Sequence, residues 1–264
     1  MKLFAVCIIL ILSIALSFGV SAKWQSLEDG IQYRAIEKAF EFQSKRKVKV
    51  HALKVKQEMY DLAIHSFHNI KDAEKTSISD FRASKDKLIV VSGGFFDPDF
   101  RHPVGLVVEE GVVVSKHSTK FSGVVWIKEN QLNLSATQSF NLSKDAPSYA
   151  IQGYPRIVDP INRMGINKQS AVYAHRVALC TVRDAFIILI TDKKFDGLSL
   201  YEFAHIAQSA EEKGGLACDI AVNLDGGPAP GISVAPELLD LNVEEGWQVP
   251  NVLTVAKKPT RGNK

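Results

Sequence analysis

The segment Asn223-Leu-Asp225-Gly226-Gly227 holds the side chains best suited to chemistry. An apolar run (Ile220, Ala221, Val222) leads into it and reads as a buried strand that stops at an amide, a carboxylate and two glycines. Only glycine turns freely through positive φ or lies in backbone contact with a bound group. A strand that delivers Asn223 and Asp225 into such a turn sets a polar pair at the mouth of a sheet, where ligands commonly sit. A bare Asp-Gly-Gly is also an ordinary turn between strands. Its meaning here depends on three other segments in which an apolar run meets small or polar residues: Ser92-Gly-Gly94-Phe95-Phe96-Asp97, Ala150-Ile-Gln152-Gly153-Tyr-Pro-Arg156 and His175-Arg176-Val-Ala-Leu179. An arginine fork can bind two phosphate oxygens at once and stays charged. A carboxylate can act as nucleophile, base or electrostatic stabiliser. His175 is a possible proton carrier because an unperturbed imidazole titrates near neutrality, but adjacent residues of a strand face opposite ways, so it and Arg176 are not expected to line one hollow together.

Other chemistries lack their signatures. The chain has no Gly-x-Ser-x-Gly elbow, Walker loop, His-Glu-x-x-His or Cys-x-x-Cys. His65-x-x-His68 has ligand spacing only on a helix, and it falls in a strand-like stretch. Asp97-Pro-Asp99 with His102 could hold a divalent cation, although carboxylates around a proline are more often turn formers. No cofactor is otherwise indicated.

Strand patterns dominate the elements that must position these groups. Residues 48–55 alternate apolar and polar with a phase shift near Ala52 that suggests a bulge, and residues 62–67 alternate again and could pair with them. Residues 87–91 form a short apolar run. Hairpins are expected at residues 105–114, 123–134 and 170–191, the last turning at Arg183-Asp184. The clearest helix starts at Ser199, where Ser199-x-x-Glu202 reads as a capping box, and is expected to end at Gly214-Gly215. A shorter helix is expected over 79–85. The expectation is an α+β single domain with a large mixed, mainly antiparallel sheet and few helices.

Residues 1–22 read as an export signal: Lys2 is the only charge, the stretch 3–16 is apolar, and Val20-Ser21-Ala22 offers small residues before a cut. That leaves 23–264 as the working domain, exported to a periplasm or secreted, with no stable membrane span after cleavage. Cys180 and Cys218 could pair in an oxidising compartment or remain two buried thiols. The chain has 32 Lys and Arg against 29 Asp and Glu, and the excess sits in Lys257, Lys258, Arg261 and Lys264 at the end. A neutral body with a short basic tail is no nucleic-acid binder, which needs a basic face.

In their order, the four polar segments resemble the phosphodiester glycosidase family. The likeness runs from Trp24-x-x-Leu27-x-x-Gly30-Ile31-x-Tyr33 through Gly93-Gly94-Phe95-Phe96, Pro103-x-Gly105-Leu106, Gln152-Gly153, Arg176 and Gly197-Leu-Ser-Leu200 to Asn223-Leu-Asp-Gly-Gly227. It implies an exported hydrolase cleaving a sugar-1-phosphodiester or related glycosidic linkage, with a carbohydrate or sugar-phosphate substrate. Asp225, Arg176 and Asn223 would be catalytic, with Arg176 clamping the phosphate. Gly94, Phe95, Phe96, Gln152, Gly153, Arg156, Gly226 and Gly227 would bind substrate. This chain continues with Pro228-Ala229-Pro230 where the family pattern has a small and then a hydroxyl residue. The alternative reading is a noncatalytic carbohydrate or envelope-polymer binding protein on the same fold.

Overall fold

The computed structural model describes residues 23–67, 77–97 and 102–258. The expected export signal, His68, Asp99, Arg261 and Lys264 lie outside the described residues. The architecture is mostly sheet: three antiparallel sheets take the place of the one large sheet expected from the sequence. The first has eight strands in the order β1 (Gln25–Glu28), β2 (Ile31–Ile36), β3 (Val50–Lys56), β14 (Ala185–Thr191), β13 (Val177–Val182), β15 (Ile220–Asn223), β11 (Arg156–Asp159) and β12 (Arg163–Met164). The second runs β7 (Val112–Ser115), β6 (Val107–Glu109), β10 (Tyr149–Gly153), β8 (Gly123–Lys128) and β9 (Gln131–Ala136). The third runs β17 (Asn242–Val243), β16 (Ile232–Val234), β5 (Ile89–Ser92), β18 (Asn251–Lys257) and β4 (Tyr60–Ser66).

The central core lies where the sheets face one another. Leu53, Phe186 and Val222 from the first sheet pack with Val125 and Ile151 from the second and with Ile89 and Leu253 from the third. The first sheet is buried on its other face as well. There Ala178, Leu189 and Ala221 meet Phe203, Ala204 and Ala207 of α4 (Leu200–Gln208). The Ser199 capping box forms: the Ser199 hydroxyl accepts from the Glu202 amide and the Glu202 carboxylate from the Ser199 amide. Three shorter α-helices are also described: α1 (Glu41–Lys45), α2 (Ile78–Ser84), capped by Ser77, and α3 (Leu142–Asp145).

Burial on both faces explains where sequence reading went astray. No bulge exists at Ala52, because β3 pairs with β2 and β14 in unbroken register. Val50 and Ala52 face α4 while Leu53 and Val55 face the central core, so an apolar residue falls on each side and mimics a phase shift. Nor does β4 pair with β3. It pairs with β18, from the far end of the chain. The α4 helix ends at Gln208, and Gly214 instead caps a short 3-10 turn at Glu211–Lys213. The expected hairpins β6–β7, β8–β9 and β13–β14 are present. Cys180 and Cys218 form a disulfide, with their Cα atoms 5.7 Å apart, that ties β13 to the residues leading into β15.

Candidate active site

Beyond β15 the chain is fixed on several sides at once. The Leu224 amide donates to the Val177 carbonyl at 2.9 Å and the Gly227 amide to the His175 carbonyl at 2.9 Å. The Asp225 amide reaches the Gly93 carbonyl at 3.4 Å, and the Asn223 amide donates to the Pro155 carbonyl at 3.0 Å. All four polar segments singled out in the sequence therefore meet at residues 223–227. Each comes from a strand end: the end of β5, the end of β10, the start of β13 and the end of β15. The site is thus built where the three sheets come together.

Close approach of the backbones requires glycine at 153. A Cβ there would stand 2.4 Å from Val222 Cγ1 and 2.5 Å from the Asn223 carbonyl oxygen. Gly227 has φ of +69°, in the left-handed region that glycine occupies at no steric cost. Neither Gly226 nor Gly227 keeps a free amide, since the Gly226 N–H donates to Asp225 Oδ1 at 2.9 Å and the Gly227 N–H is held by His175. These glycines leave room in the site without offering donors to it.

The Asp225 carboxyl is half-buried, and burial pushes it up to about 6, with the Gly226 N–H pulling in the opposite direction. Its other oxygen has no partner among the described residues. Arg176 is 9% exposed, and burial lowers its pKa from the usual arginine value. Its Nε donates to the Leu198 carbonyl at 3.0 Å and its Nη2 to the Val172 carbonyl at 3.3 Å. Those bonds fix the guanidinium plane and leave Nη1 beside the glycine turn, 3.4 Å from where a Cβ on Gly226 would sit. Asn223 is 3% exposed and donates from Nδ2 to the Tyr154 and Leu224 carbonyls, at 2.8 and 2.7 Å. Its Oδ1 is buried with no partner among the described residues.

Two expected substrate-binding side chains have partners within the protein. Gln152 Oε1 accepts from the Leu106 and Ser118 amides at 2.7 and 2.8 Å, and its Nε2 donates to the Ser118 carbonyl at 2.9 Å. Gln152 therefore anchors the loop before β8. Arg156 donates from Nε to Asp159 at 2.8 Å and from Nη1 to the Ser122 carbonyl at 2.7 Å. The β11–β15 ladder is irregular at this point, which sets Arg156 opposite Val222. The two phenylalanines divide. Phe95 packs edge-on against Phe121 at 5.2 Å, and Phe121 against Tyr154 at 6.4 Å, whereas Phe96 packs on the Phe67–Phe81 core cluster. Gly94 lies against the Gln152 carbonyl and donates to Asn251 Oδ1 at 2.7 Å.

His175 and Arg176 have different partners. The imidazole Nδ1 faces the Thr191 hydroxyl at 3.4 Å, and burial and Lys193 hold its pKa below the usual histidine range. The Asp97 amide donates to the His102 carbonyl at 2.9 Å. No cluster of three metal-ligating side chains occurs among the described residues. Sequence reading missed Asn251, which braces the Gly93-Gly94 turn, and Lys193. The Lys193 ammonium donates to the Pro228 and Glu244 carbonyls, both at 2.7 Å, and so staples the segment after Asp225. A polar residue heading an apolar run was the available sign for Asn251. Lys193 gave none.

A family model for phosphodiester glycosidases matches residues 86–256, so the chain belongs to that family. The solved catalytic domain of zebrafish N-acetylglucosamine-1-phosphodiester alpha-N-acetylglucosaminidase, auto-inhibited by its pro-peptide, is similar in fold. The alignment covers 90% of this chain and 87% of that one, with 15% identity and a TM-score of 0.65. A hypothetical protein from Synechocystis aligns over 90% of this chain and 64% of its own, with 14% identity and a TM-score of 0.58. A Burkholderia pseudomallei protein provisionally described as exported aligns over 80% of this chain and 74% of its own, with 13% identity and a TM-score of 0.56. No curated protein matches the sequence. Among the described residues no helix is long and apolar enough to cross a membrane.

Proposed function

We propose that the protein is an exported single-domain hydrolase that cleaves the glycosidic bond of a sugar-1-phosphodiester, with residues 1–22 as its export signal. The observation that carries this reading is that an Asp225 carboxyl raised by burial to about 6 and a fixed Arg176 guanidinium both stand at one glycine turn, the guanidinium beside Gly226. A departing phosphate is a weak base, so the reaction asks little of a general acid. It needs donors on the phosphate and a carboxylate near the anomeric carbon as positive charge develops.

Arg176 is pre-aimed for the first task, because two of its nitrogens are anchored on carbonyls and Nη1 is left toward the turn. Asp225, ionised above pH of about 6, serves the second as nucleophile, base or electrostatic stabiliser. Asn223 orients the segment that carries Asp225, its Nδ2 holding the Tyr154 and Leu224 carbonyls. Phe95, Phe121 and Tyr154 form an aromatic wall, while Gln152 and Arg156 shape the site from behind through the loop they hold.

The test is hydrolysis of phosphate-linked N-acetylglucosamine by purified protein. Wild type is expected to turn over, and Asp225→Asn to lose at least about a hundredfold in kcat, as removal of an electrostatic stabiliser does elsewhere. Saturable binding with no turnover in wild type would favour the noncatalytic carbohydrate-binding reading instead.

A further inference from the structure

A hollow of about 560 Å³ opens between α1 and α4, and neither Asp225 nor Arg176 lines it. Its walls are aromatic. Phe40 and Phe42 stack with ring centroids 5.5 Å apart, and Tyr201 stacks on His205 at 6.3 Å. Phe40 meets His205 edge-on at 4.9 Å and so joins the two stacks. On the opposite wall Tyr173 is 49% exposed, with the Arg46 guanidinium 4.1 Å over its ring.

The charges of this hollow cancel. Arg46 pairs with Glu202 at 2.5 Å, and Lys45 at the rim pairs with Glu41 at 3.0 Å. Burial lowers the His205 pKa, which favours the neutral imidazole. An anion such as phosphate therefore finds no uncompensated cation here. One polar group does remain available: Gln169 accepts from the Ser199 hydroxyl at 3.1 Å, and its amide N–H groups have no partner among the described residues. Flat apolar faces, a neutral floor and a planar polar side chain suit a pyranose ring, whose C–H faces stack on aromatic rings while its hydroxyls lie in the plane. A purely apolar occupant would leave Gln169 unused.

We infer that this aromatic hollow between α1 and α4 is a second, noncatalytic site that binds an uncharged saccharide. It stands apart from the catalytic reading, though its lining residues adjoin in sequence those that anchor Arg176. Arg176 is anchored on the carbonyls of Val172 and Leu198, while Tyr173 lines the hollow and Arg46 donates to the Gly197 carbonyl at 2.6 Å. The Ala174–Leu198 bridge joins these two segments.

Titration of the full chain with chitotetraose and with maltotetraose, followed by calorimetry, tests the inference. Saturable binding of at least one is expected, weakened about tenfold or more by Tyr201→Ala and by Gln169→Ala and retained in Asp225→Asn. Gln169 is exposed, so its substitution leaves the fold intact if Tyr201→Ala does not. Absence of saturable binding overturns the proposal. So does binding unchanged by both substitutions, or binding lost in Asp225→Asn, which would place the sugar in the first site alone. Self-association abolished by Tyr201→Ala would assign the hollow to a second copy of the chain and would equally overturn it.

Discussion

Burial moves the Asp225 carboxyl from 3.8 to about 6, and the folded protein therefore binds a proton in that window that the unfolded chain has released. Stability falls as pH rises from the lower value to the higher, and the penalty is constant above it. An amide at the same place cannot ionise. Asp225→Asn is thus predicted to stabilise the protein by on the order of 3 kcal/mol near neutral pH, and to give no gain below the unfolded carboxyl's pKa. Thermal or denaturant melts at the two pH values would show it, and the same substitution should remove hydrolysis. At Lys193 the effect has the other sign. Lys193→Met leaves the Pro228 and Glu244 carbonyls without their donor. A loss of about 1 kcal/mol in stability is expected, with kcat reduced more than KM is raised, measured by melts and initial rates. The convergence of the segments carrying Asp225, Asn223 and Arg176 was legible in the sequence because polar residue types stood at the ends of apolar runs. Their anchors were not, since Val172 and Leu198 act through backbone carbonyls that every residue possesses.

At the scale of elements, hairpins were legible because their turns are local: Arg183-Asp184 joins β13 to β14 as its composition suggests. Pairing between distant strands was not. Sheet register is specified by which face is buried, and β3, β14 and β15 are buried on both faces, so alternation says nothing about their neighbours. The β4–β18 ladder joins residues 60–66 to residues 251–257, a contact with no local trace. The disulfide is placed to matter for the site, since it links β13, which follows Arg176, to the approach to β15, which precedes Asp225. Its closed loop spans a sequence separation of 38. Replacing both cysteines by alanine is predicted to lower the unfolding free energy by ~3 kcal/mol, read from denaturant midpoints.

The whole molecule explains why the site is scattered along the sequence. Three sheets share one core, and each contributes a strand end that meets residues 223–227. The candidate site residues therefore come from segments far apart in the chain, and the order of those segments is a sharper sign than any one of them. The family resemblance was readable on that basis, while the division into three sheets was not. Fold similarity to the zebrafish catalytic domain at 15% identity fits a scaffold set by apolar burial, which many sequences satisfy. The central claim is that water replaces phosphate at the anomeric carbon, with Asp225 and Arg176 facing the bond that breaks. Hydrolysis of phosphate-linked N-acetylglucosamine in water carrying heavy oxygen tests it most directly. The account predicts the label on the anomeric hydroxyl of the released sugar and none in the phosphate; label in the phosphate, or no turnover at all, would contradict it.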